Sequence, residues 1–199
     1  MDKFKGKQLN SNIEKNEPEL ILEIGPGTFP ILKVSEKVKQ KIAKGAAYVG
    51  VDLGEDGRID TERFNRATAS HGKIVIGDLK SLPIKSDSAN EIWALNVFGK
   101  LEREVNKKEK YIQELTRVLK SGGRVIIGEY YGSAISTAWL ANFDFDEYGF
   151  ISTRLEDDQM RAFLKKEGLP SWFADFGYGP GQKPFILILE KTLIKGNPC

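Results

Sequence analysis

Residues 20–27 read Leu20-Ile21-Leu22-Glu23-Ile24-Gly25-Pro26-Gly27, a short apolar run with one acid inside it, stopped by a glycine-proline-glycine turn. A run of that length bounded by turn residues predicts a buried parallel strand that turns tightly into a helix. The helix is expected in FPILKVSEKVKQKIAK, where Ile31, Val34, Val38 and Ile42 recur at helical spacing and Gly45 closes the segment. AAYVGVD then reads as a second buried strand ending on Asp52. Residues 58–70 are weakly helical, KIVIGD is a third strand reaching Asp78, and residues 90–97 (NEIWALNV) form a fourth. A helix over about 105–120 places Tyr111, Leu115, Val118 and Leu119 on one face, and Ser121-Gly122-Gly123 is expected to end it before a fifth strand, RVIIGE.

The C-terminal part changes rhythm. Thr153 and Glu156 have capping-box spacing ahead of a helix whose apolar face is Met160, Phe163 and Leu164 and which stops at Gly168. SWFADF and FILILEK follow with only YGPGQKP near their junction, too short for a parallel crossover, so these last strands should pair antiparallel. The expected fold is α/β: a doubly wound, mostly parallel seven-stranded sheet with its last strand pair antiparallel. One domain over residues 1–199 accounts for the length, with 1–19 as a polar N-terminal extension.

Composition narrows the chemistry. With 40% apolar and 29% charged residues and no apolar run approaching a membrane span, the chain reads as a soluble globular protein, without a membrane. The polar start carries no export signal, which predicts a cytoplasmic protein. Cys199 is the one cysteine and His71 the one histidine, so a disulfide, a zinc cluster, a metal site and a hydrolytic triad are all disfavoured. A net charge of +2 does not indicate nucleic acid, and the lysine runs at 33–44, 107–110 and 165–166 read as solvated helix faces.

In an open parallel sheet, ligands bind beyond the carboxyl ends of the strands. At the first, Glu23-Ile24-Gly25-Pro26-Gly27-Thr28 offers close backbone approach and free amides at a helix start. At the second, Asp52 can accept from both hydroxyls of a ribose. At the third, Asp78-Leu79 places an acid and an apolar neighbour where an adenine ring could lie. Each has a plainer reading, a turn or a loop cap, but in order at consecutive strand ends they favour a nucleoside. A dinucleotide fingerprint is not met, because Pro30 stands where G-x-G-x-x-G has its third glycine.

These residues together resemble the class I S-adenosylmethionine-dependent methyltransferases, especially their small-molecule branch, whose Rossmann-like fold has the expected sheet. The resemblance runs from about Leu20 to Glu129 through LILEIGPGT, YVGVDL, IGDLKSLP and ELTRVLKSGGRVIIGE. It implies S-adenosyl-L-methionine as cofactor, with Glu23, Gly25 and Gly27 around the methionine portion and Asp52 on the ribose. It also implies Leu53 on one adenine face, Asp78 accepting from the adenine amino group, the Leu79 amide at the ring, and Asn96 beneath the sulfonium. Two departures stand out. Phe29 occupies a position where many family loops have glycine, and Asn96-Val97-Phe98-Gly99 lacks the prolines of enzymes that methylate exocyclic base amines.

Transfer of methyl from a sulfonium needs alignment more than a nucleophile, so scarce His and Cys are consistent with it. Tyr130 and Tyr131, directly after the fifth strand, are the candidate base or orienting residues, and residues 129–152, rich in aromatic side chains, form a candidate acceptor loop or lid. The bland alternative is a short helix whose rings cover the core. The expected reaction is transfer to an O or N atom of a small-molecule acceptor, in keeping with secondary metabolism. RNA or protein acceptors are the runner-up, and a non-catalytic protein acting through a partner is the reading from another class. A nicotinamide oxidoreductase is disfavoured by Pro30. The short N-terminal extension leaves the pocket open, or completed by a large substrate or by a second subunit of a homo-oligomer.

Overall fold

Seven strands form one sheet in the order β3-β2-β1-β4-β5-β7-β6. The structure is a computed structural model that describes residues 17–26, 30–52, 72–98, 107–131, 138–170 and 183–192. The strands are β1 (Leu20–Ile24), β2 (Ala47–Asp52), β3 (Lys73–Ile76), β4 (Ala89–Leu95), β5 (Leu119–Tyr131), β6 (Phe150–Leu155) and β7 (Lys183–Lys191). The first five run parallel, and β7 lies antiparallel to both β5 and β6. Among the described residues the helices are α1 (Ile31–Val34), α2 (Glu36–Ala43), α3 (Lys108–Val118), α4 (Ala138–Asn142) and α5 (Asp157–Lys166).

Two apolar layers sandwich the sheet, as the continuous apolar runs of buried parallel strands require. On one side Tyr111, Ile112, Leu115 and Val118 of α3, with Leu140 and Phe145, pack on Leu22, Ile92, Val125 and Ile127. On the other, Ile31, Val38, Met160 and Phe163 pack on Ile21, Tyr48, Trp93 and Ile126. No helix among the described residues is long and apolar enough to cross a membrane.

The mostly parallel doubly wound sheet with its antiparallel last pair is as expected, but several boundaries differ. The single helix expected after the glycine turn is two, broken at Ser35, whose Oγ accepts from the Val38 amide at 3.2 Å and donates to the Glu167 carbonyl at 2.7 Å. Ser121-Gly122-Gly123 does not end α3. The helix stops at Val118, Leu119 already pairs with Ala89, and the glycines form an irregularity within β5 before Arg124 meets Glu91. There Gly122 has φ +75°, and a Cβ on Gly123 would lie 2.9 Å from the Asn90 carbonyl oxygen, so neither tolerates a side chain easily.

Thr153 and Glu156 form no capping box. Thr153 lies in β6, and the N-cap Glu156 makes no side-chain bond to the helix. The outer partner of β7 is Phe150–Leu155, so the antiparallel pair is separated by α5. SWFADF, the stretch expected to pair with FILILEK, lies outside the described residues, as do 58–70. Residues 129–152 are correspondingly not one connection: β5 continues to Tyr131, α4 and a 3-10 turn at Asp146–Tyr148 follow, and β6 starts at Phe150.

Candidate functional site

The winding direction reverses between β1 and β4, which places a crevice at the carboxyl ends of those strands. Gly25 leaves β1 with φ +61°, and its amide donates to the Val51 carbonyl at 2.8 Å. A Cβ there would stand 3.0 Å from Val97 Cγ2, so glycine serves both the backbone conformation and the close approach of the chain leaving β4. Ile24 is level with Val51, which sets Asp52 beside Gly25, and the Asp52 carbonyl accepts from the Gly77 amide at 3.0 Å. Asn96 turns out of β4 with φ +58° and donates its amide to the Gly128 carbonyl at 2.8 Å. Thus Gly25, Asp52 and Asn96 come together at one edge, held by backbone hydrogen bonds between neighbouring chain ends.

Glu23 sits one residue inside this edge and is only 2% exposed. Its Oε2 accepts from the Ile31 amide at 2.8 Å and from the Tyr48 hydroxyl, so one carboxyl group ties β1, the start of α1 and β2 together across the glycine turn. Burial pushes its pKa up from 4.5 to about 8, against the downward pull of the bonds from Tyr48 and Ile31. The same burial, followed by the neighbouring Glu23 charge and hydrogen bond, raises the Tyr48 phenol.

Asp78 caps its own loop. Its Oδ1 accepts from the Lys80 amide at 2.9 Å and its Oδ2 pairs with the Lys80 ammonium at 3.0 Å, leaving the side chain 38% exposed. The Leu79 side chain is buried in the core, so what it could present to a ring is its backbone. Tyr130 and Tyr131 end β5, level with Pro184 and Lys183 of β7. Gly27, Leu53, Phe29 and His71 lie outside the described residues. No group of His, Cys, Asp and Glu suited to a metal occurs among the described residues.

The aromatic stretch after β5 has both inward and outward parts. Phe145 and Phe150 are buried in the core, whereas Trp139, Phe143 and Tyr148 are half-buried against it. Phe98, just past Asn96, meets Trp139 edge-on at 5.7 Å, and Trp139 meets Phe143 at 5.5 Å. The rings therefore cover the core, as the bland reading expects, and also run up to the end of β4.

Sequence reasoning missed Tyr48 and Glu129. Glu129 is buried at the end of β5, and its Oε1 accepts from the Phe98 amide at 2.7 Å. The available signal was a carboxyl group closing an otherwise apolar strand, which demands a partner. The same signal marks Glu91 and Arg124 at the opposite edge. There Arg124 bridges the buried Glu91 and Glu167 at 2.7 and 3.0 Å, Lys41 joins Glu91 to Glu19, and the Trp93 indole donates to Glu91. Burial pushes Glu91 and Glu167 up, but their cationic partners prevail and hold both below the usual carboxylate range. That cluster is structural, whereas the candidate edge carries the partly exposed carboxyl groups of Asp52 and Asp78, with Glu23 and Glu129 buried behind them. Such an acceptor set fits a ligand carrying hydroxyl and cationic groups.

Residues 22–127 match the family model described as a methyltransferase domain, and the chain belongs to that family. It is similar to malonyl-(acyl-carrier protein) O-methyltransferase of Methylococcus capsulatus, 27% identical over 181 residues, 88% of this chain and 61% of the relative. It is also similar to demethylmenaquinone methyltransferase of Clavibacter sepedonicus, 28% identical over 152 residues, 68% of this chain and 58% of the relative. The chain spans about three fifths of the length of these curated relatives. Among solved structures, an S-adenosylmethionine-dependent methyltransferase from Aquifex aeolicus shares the fold with a TM-score of 0.60 at 13% identity, covering 88% of this chain and 84% of that one.

Proposed function

We propose that the chain binds S-adenosyl-L-methionine at the β1–β4 switch point and transfers its methyl group to an O or N atom of a small molecule in the cytoplasm. The observation that carries this reading is the convergence of Gly25, Asp52 and Asn96 at that point in a chain of the methyltransferase domain family. The names of the curated relatives support a small acceptor, one being an acyl group on a carrier protein and the other a quinone precursor.

When bound, the cofactor supplies an electrophilic methyl on a sulfonium. The protein's part is positioning. Gly25 and Gly27 let the amino-acid arm approach the backbone, while Glu23 holds the start of α1 and so the far end of the turn. Asp52 would accept from the ribose hydroxyls. Asp78 and the Leu79 backbone amide would flank the adenine, with Leu53 on one of its faces. Asn96 would sit beneath the sulfonium, and Tyr130 and Tyr131 would orient the acceptor or take its proton.

Calorimetry with S-adenosylhomocysteine tests the reading. Binding should persist in EDTA and exceed that of NADH. Tighter binding of NADH, or no binding of S-adenosylhomocysteine, would overturn it.

A further inference from the structure

Glu129 has a place in the site that methyl transfer itself does not require. By strand alternation its side chain shares a face with Val125 and Ile127, on the layer filled by α3. It is 3% exposed and reaches sideways to the Phe98 amide, a bond from the end of β5 to the turn that follows β4. That turn begins at Asn96 with a left-handed backbone, and Val97 in its middle sets Cγ2 where a Cβ on Gly25 would be 3.0 Å away. Three contacts thus run in line: Glu129 holds Phe98, Phe98 closes the turn carrying Val97, and Val97 abuts Gly25. The Phe98 ring is fully buried between Tyr111 and Trp139, so rotating the turn to find another acceptor would unseat a packed ring.

A buried carboxyl group at a strand end is unfavourable in an apolar layer unless it is bonded. Its presence beside the crevice is explained by a second tier of bonds that fixes groups contacting a ligand. We propose that Glu129 is a positioning residue of the cofactor site, holding the Asn96–Phe98 turn against Gly25 before any ligand arrives. The inference rests on the reading of this edge as the S-adenosyl-L-methionine site.

The test is S-adenosylhomocysteine calorimetry on the full chain and on Glu129→Gln, Glu129→Leu and Val97→Ala, each with a thermal melt. Gln retains an oxygen for the Phe98 amide and should bind within about twofold of the parent, whereas Leu leaves that amide without its acceptor and should bind about tenfold more weakly. Val97→Ala, the milder variant if the Leu protein melts too low, keeps the Glu129 bond but loosens the turn against Gly25 and should weaken binding about threefold. Leu and Ala variants that bind like the parent, even with lowered melting temperatures, overturn the inference, as does Gln binding as weakly as Leu. A parent protein that does not bind S-adenosylhomocysteine overturns the cofactor reading beneath it, and that outcome is distinguishable because the variants then have no parent affinity to lose.

Discussion

Replacing Glu23 by Gln should flatten the pH dependence of stability. The substitution keeps a carbonyl oxygen for the Ile31 amide and the Tyr48 hydroxyl but removes the titration. Burial raises the Glu23 pKa from 4.5 to about 8, so the folded chain retains a proton that the unfolded chain releases near its ordinary value. The stability this contributes is complete below about pH 4.5 and is lost as the pH rises through about 8. The full interval corresponds to at most about 5 kcal/mol. Relaxation and water entry around the ionised group reduce this, and about 2–3 kcal/mol is the working magnitude. For a chain of this length that is roughly 5–10 °C in melting temperature. Thermal melts of parent and variant at pH 5.5 and 8.5 read it as a difference of differences, in which every other titrating group cancels. Tyr48 stays protonated throughout, because its own pKa is raised. Parallel pH dependences for the two proteins would refute the reasoning and show that Glu23 ionises normally inside the fold.

Asp52→Ala should weaken S-adenosylhomocysteine binding by about 1–3 kcal/mol, the range for hydrogen bonds to a charged group, and unchanged calorimetric affinity would reject the ribose assignment. Arg124→Met leaves Glu91 and Glu167 buried beside too little positive charge and should destabilise by about 3–5 kcal/mol in urea unfolding, with ligand affinity kept within twofold by calorimetry on the folded protein. Trp139→Ala removes a half-buried ring that packs on Phe98 and Phe143, so its loss should fall near 2–3 kcal/mol, below the range for a fully buried aromatic, with S-adenosylhomocysteine affinity within about threefold. A thermal melt beside the binding assay separates the stability loss from any effect on the site.

The parallel strands and their ends were legible because a strand buried on both faces is an uninterrupted apolar run, and LILEI, AYVGVD and NEIWAL each close on a turn residue. What escaped depends on partners far along the chain. Helical spacing continues unbroken from Val34 to Val38, and the break at Ser35 exists because its hydroxyl reaches the Glu167 carbonyl, 132 residues away. FISTRL looked like a connection ending in a cap because only Phe150 at its start is buried, so no two-residue alternation shows. Its strand identity comes from pairing with β7. The placement of Gly25 and Asp52 at neighbouring strand ends was legible from position alone, while the bond from Glu129 was not, since nothing local says that the end of β5 touches the turn after β4.

The place of β7 inside the sheet, one strand from its edge, has a consequence for synthesis. Residues 183–191 fill the slot between Leu119–Tyr131 and Phe150–Leu155, bonding on both sides. A nascent chain halted before residue 183 would carry two open strand edges flanking a gap, one of them the strand that ends in Tyr130 and Tyr131. Such edges recruit strands from other molecules. Residues 183–191 are therefore the wedge that closes this side of the sheet, and a chain truncated ahead of them should aggregate rather than yield a smaller folded domain.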